Sequence, residues 1–156
     1  MAKYASTTTV APEKSRGEIE RVLKRYGADG FQYATQGNRA GVAFTVNKIM
    51  VKISLTLPSE ADDEIRLDRW GGVDYESRIK NRLDQALRQR WRALFLVVKA
   101  KLESVESGIE TFEEAFMPHM VIPTGEHAGK TVGEIMLPTF TRALESGVMP
   151  KLLEMG

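Results

Sequence analysis

The sequence predicts a single mixed α+β domain in which a three-stranded antiparallel sheet precedes a long, basic, amphipathic helix. Three observations predict it. Apolar residues recur at a period of two over three consecutive stretches between Phe31 and Leu57. They change to helical spacing from Ile79 to Val105. The 156 residues suit one hydrophobic core, since a chain of that length buries roughly 70% of its unfolded surface. Residues 1–12, with a serine and threonine run and Pro12, read as a flexible arm, and 13–156 as the domain.

The first helix is expected from Ser15 and Glu18, an S-x-x-E pair in which each side chain satisfies a free backbone donor of the first turn. Ile19, Val22, Leu23 and Tyr26 then keep one apolar face, and Gly27 offers a left-handed stop. In the sheet, Phe31, Tyr33 and Thr35 alternate first, then Ala40, Val42, Phe44 and Val46, then Ile49, Val51, Ile53, Leu55 and Leu57. Strict alternation puts one face on the core and turns Met50, Lys52, Ser54 and Thr56 of the third strand outward. Gly41 and Ala43 make the outer face of the middle strand smooth.

Residues 59–74, rich in Asp, Glu and Gly, read as an exposed loop, with Asp74 or Ser77 capping the long helix. That helix buries Ile79, Leu83, Leu87, Trp91, Leu94, Val98, Leu102 and Val105 and gathers Arg78, Arg82, Gln85, Gln89, Arg92, Leu96 and Lys99 opposite. Two T-x-x-E boxes, Thr111 with Glu114 and Thr131 with Glu134, open short helices after Gly108. Pro118 ends the first, residues 120–122 add a short strand, and Pro138 kinks or restarts the second before Gly147.

Composition excludes several classes. With 42% hydrophobic and 28% charged residues the chain is neither disordered nor fibrous, and without cysteine it has no disulfide framework or thiolate metal site. No long apolar run or secretory leader is read, so no membrane partner and a cytoplasmic setting are expected. Net charge is only +1, yet it is segregated. Residues 78–101 carry eight Lys or Arg against Asp84 alone, whereas 102–156 carry three basic residues against nine Glu.

Candidate chemistry is sparse. The run from Gly125 to Thr131 evokes a phosphate loop but has three residues between its glycines where that loop needs four, which favours a capping turn. His119 and His127 have no nucleophile or metal partner in any known spacing, and Asp62, Asp63 and Glu64 read as solvated loop acids rather than a metal site. No cofactor, no metal and no catalytic residue are therefore assigned. The basic stripe of the long helix is the strongest functional signal, because it lacks the acids at i+4 that normally neutralise such a face and prefers Arg, which suits planar phosphate contacts. Its bland reading is a solvated helix face. Trp91 is expected in the core rather than as a stacking platform.

Several segments, EKSRGEIE at 13–20, RYGA at 25–28, RQRWRAL at 88–94, VKAKLESVESGI at 98–109, TFEE at 111–114 and TVGE at 131–134, resemble a small protein family common in phages and prophages. The element order is also similar to the core of single-strand annealing proteins, the group holding phage Red beta and Erf type proteins and the eukaryotic homologous-recombination annealing factor. That resemblance implies ATP-independent binding and annealing of single-stranded DNA in a bacterial host cell. It also implies association side by side into rings or filaments, with the strand held by its backbone between meander and helix. The helical projection, not a family motif, then nominates Lys48, Lys52, Arg78, Arg82, Arg88, Arg92 and Lys99 as nucleic-acid contacts. Two alternatives stand beside it: a self-associating phage structural or adaptor protein, and a metal-dependent nuclease using residues 62–64.

Overall fold

The computed structural model describes residues 5–148, which form a mixed α+β fold in the expected order. Helix α1 (Pro12–Tyr26) leads into strands β1 (Gly30–Gln36), β2 (Arg39–Val46) and β3 (Ile49–Thr56). A single turn of helix, α2 (Asp63–Arg66), precedes the long helix α3 (Glu76–Glu106). Helix α4 (Phe112–Phe116), a 3-10 turn (Met117–His119) and α5 (Val132–Ser146) follow.

The sheet is a plain antiparallel meander in the order β1-β2-β3, with Phe31 opposite Phe44 and Phe44 opposite Val51. Its tight turns require left-handed backbone: Gly37 has φ 58° in the first, and Asn47 and Lys48 have φ 49° and 67° in the second. Alternation works as expected, burying Ala40, Val42, Phe44, Val46, Val51 and Ile53 on one face. Helices α1 and α3 cover that face. The ion pairs Glu18 to Arg92 and Arg25 to Glu106 advance together along both helices, so the two run parallel. Trp91, Leu94, Phe95, Val98 and Leu102 of α3 meet Ile19 and Leu23 of α1 in the core, and Phe116 of α4 closes it edge-on against Phe44 at 5.7 Å.

Helix α3 is longer than the sheet it covers. Thirty-one residues span about 46 Å, against about 27 Å for an eight-residue strand. Its first half therefore overhangs, and Ile79, Leu83 and Leu87, expected in the core, are only half-buried and lie outside the core cluster.

Local expectations are revised at five places. Helix α1 starts at Pro12, whose fixed φ and missing donor suit a first position, and Ala11 precedes it with no side-chain cap. Ser15 is not a cap; it shares the buried i, i+4, i+8 stripe with Ile19 and Leu23, and its hydroxyl has no partner among the described residues. Neither Asp74 nor Ser77 caps α3: Tyr75 holds that position, and Asp74 accepts the Tyr75 N–H at 2.8 Å while serving two arginines. The loop at 59–74 contains α2, because Ile65 finds a buried seat. Helix α5 does not restart at Pro138 but runs through it, and residues 120–122 give only single bridges, Met120 to Val51 and Val121 to Thr131. Both T-x-x-E boxes, in contrast, are fully formed.

Candidate nucleic-acid interface

The seven nominated cations divide into two groups. Those of α3 are largely engaged within the protein. Arg82 donates from Nε to the Ile65 carbonyl and from Nη1 to Asp74, both at 2.7 Å, leaving its other terminal nitrogen buried without a partner among the described residues. Arg78 reaches the same carboxylate at 3.5 Å. The Asp74 carboxyl is held below the usual carboxylate range, first by the Arg82 hydrogen bond and then by the Tyr75 N–H. Arg92 pairs with Glu18 and lies over the Phe95 ring, so it ties α3 to α1. Arg88 is half-buried with no ion pair to a described residue, and Lys99 is exposed in a dent it shares with Arg25, Glu103 and Glu106.

The absence of i+4 acids on the helix does not leave Arg82 and Arg92 unpaired. The neutralising carboxylates come from outside the helix, Glu18 from α1 and Asp74 from the loop, and a single-helix wheel contains neither.

Lys48 and Lys52 belong to the other group. The stretch 30–58 contains Arg39, Lys48 and Lys52 and no Asp or Glu. Its outward rows are Gly30, Thr45 and Met50; Gln32, Ala43 and Lys52; Ala34, Gly41 and Ser54; and Gln36, Arg39 and Thr56. Every one of these positions is exposed or half-exposed. Counted along β3, the site opposite Arg39 is residue 56, followed at four-residue steps by Lys52 and Lys48. Arg39 and Lys52 are thus separated by about 13 Å along the strand direction, and Lys48 sits in the turn that leads into β3. The rest of the face carries small side chains and neutral donors and acceptors, Gln32, Gln36, Ser54 and Thr45, that do not repel a phosphate backbone. No described carboxylate forms an ion pair with Arg39, Lys48 or Lys52. One carboxyl is coupled to Lys52: Glu134 is held below its usual range, first by the Thr131 N–H and to a lesser degree by Lys52 and Lys130.

Between the end of β3, α2 and α3 lies a cleft of about 860 Å³, lined among others by Thr56, Leu57, Ile65, Ala86, Gln89 and Arg90. It matches the expected groove between meander and helix in place but not in charge. Asp62, Asp63 and Glu64 form one wall, and Arg90 is drawn down to the Thr56 carbonyl at 2.9 Å. Of those acids, Asp62 caps Ser59 and Asp63 pairs with Arg66. No group of three metal-ligating side chains exists among the described residues, and none of their helices is long and apolar enough to cross a membrane. The 122–131 segment is a capping turn, in which Gly129 N–H returns to the Ile122 carbonyl and Thr131 opens α5.

Sequence reasoning missed Arg39, masked by its position at a turn, and Trp70, which is 77% exposed in a stretch treated as plain loop. The signal for Arg39 was present: it is the one charged residue of β2 and lies in register with outward Thr56. No protein-family model, curated protein or solved structure matches the chain.

Proposed function

We propose that this protein binds single-stranded nucleic acid along the open face of its sheet and promotes annealing of complementary strands without ATP, as in phage-type recombination. The observation that carries the reading is an outer sheet face without acids of its own, with Arg39 and Lys52 on it and Lys48 in the turn at its end. Lysine and arginine on such a surface bind phosphates by releasing condensed counterions, which fixes the path of the strand without reading its bases. Bases left unread stay free to test a second strand. On this reading the protein supplies no chemistry, and Arg82 and Arg92 act as structural ties rather than as the main contacts.

Self-association into a ring or filament belongs to the same proposal. The half-buried stripe Ile79, Leu83 and Leu87 on the overhanging part of α3 and the unpaired outer edge of β1 supply apolar and backbone surface for a second copy. The same surface would serve the structural or adaptor role instead, so nucleic-acid affinity is what decides between them.

The test is titration of a fluorescein-labelled oligonucleotide, followed by an annealing assay with complementary strands and no nucleotide. Binding and annealing by the native chain, both reduced at least tenfold in a variant carrying Arg39→Ala, Lys48→Ala and Lys52→Ala, is the expected result. Native protein that assembles in sedimentation yet ignores oligonucleotides at low salt would instead favour the adaptor role.

A further inference from the structure

We infer that the turn carrying Trp70 is a base-stacking element for single-stranded nucleic acid; the inference rests on the nucleic-acid reading above and adds a second contact to it. Residues 66–75 fold back on themselves. Leu67 bridges Val73, the Asp68 N–H reaches the Gly72 carbonyl at 2.8 Å, and Gly71 takes the left-handed conformation at φ 87°. One Asp68 carboxylate oxygen accepts the N–H groups of Trp70 at 2.9 Å and Gly72 at 3.0 Å. At the base of the turn, Asp74 N–H returns to the Arg66 carbonyl at 2.9 Å. The two carboxylates that a cationic partner would otherwise meet are thus consumed in shaping the turn and in holding Arg78 and Arg82.

The shaped turn presents apolar surface to solvent. Trp70 is 77% exposed and Tyr75 75%, whereas Trp91 is 2% exposed in the core. Trp70, Val73 and Tyr75 lie within six residues on a turn ordered by its own hydrogen bonds and are all exposed, a local apolar cluster of the kind that marks a contact site rather than one scattered side chain. The Arg69 guanidinium lies 3.9 Å from the Trp70 ring centroid and forms no ion pair with a described residue. Arg78 likewise sits 5.7 Å from the Tyr75 centroid. One indole face is therefore covered by a cation and the other is free. A nucleobase stacks on a flat aromatic face whatever its identity, and the adjacent guanidinium meets the flanking phosphate. An apolar protein pocket would have to desolvate Arg69 to accept the same indole, which favours the polyanion.

Intrinsic fluorescence isolates this contact, because the chain has two tryptophans and only Trp70 is exposed. Adding unlabelled oligothymidylate should quench emission in the native chain and not in a Trp70→Phe variant. Trp70→Ala should weaken oligonucleotide binding about tenfold, Trp70→Phe much less, with the salt slope unchanged because no phosphate contact is lost. Thermal melts matching the native chain would exclude misfolding. Native protein that binds oligonucleotide with unaltered Trp70 emission, and Trp70→Ala binding at native affinity, would overturn the inference while leaving the sheet-face reading intact. Emission that shifts with protein concentration alone would overturn it in favour of a contact between copies. A native chain indifferent to oligonucleotides would remove both readings.

Discussion

Lys48 has a backbone that its side chain does not favour. At φ 67° it occupies the second position of a two-residue hairpin turn, where glycine is preferred and a residue with a Cβ is strained. Lys48→Gly should raise stability by about 1 kcal/mol in chemical denaturation while weakening oligonucleotide binding, a stability gain set against function. Asp74 is the second residue with a measurable signature. Its carboxyl is depressed by Arg82 first, so its contribution is present above the ordinary carboxylate pKa and is lost as pH falls through the lower folded value. Melting temperature should drop on acidification through that range in the native chain and less steeply in Asp74→Asn, which starts lower at neutral pH. Neither feature was legible in the sequence. Positive φ at Lys48 follows from hairpin register, and Asp74 looked like a helix cap because its partner Arg82 lies on the next two turns of helix.

Elements were legible where one local pattern decides them. The meander needs only period-two alternation, and the boxes at Thr111 and Thr131 need only two residues three apart. The overhang of α3 was hidden, because a helical wheel marks Ile79, Leu83 and Leu87 as core without revealing that the sheet ends beneath them. The same wheel made Arg82 and Arg92 look available when other elements had already neutralised them. Helix α5 owes its position to another non-local fact: a Cβ on Gly133 would lie 2.7 Å from the Pro118 carbonyl oxygen. Because that neighbour is backbone, Gly133→Ala should cost about 1–3 kcal/mol, read as a lower denaturation midpoint. Full stability in that variant would mean α5 does not dock as described.

Across the whole molecule, a net charge of +1 conceals an arrangement in which charge does two jobs. Arg82, Arg92 and Arg25 are spent on carboxylates that join α1, α3 and the 59–75 segment, while Arg39, Lys48 and Lys52 form no ion pair with a described carboxylate. The most direct measurement is the salt dependence of single-strand affinity. Each phosphate contact contributes a slope of about 0.7 in log K against log salt, so replacing Arg39, Lys48 and Lys52 together by alanine should flatten the slope by about 2. Arg92→Ala should lower melting temperature and leave the slope unchanged. A sheet-face variant that keeps the native slope, with Arg92→Ala losing it, would contradict the assignment of the interface to the sheet.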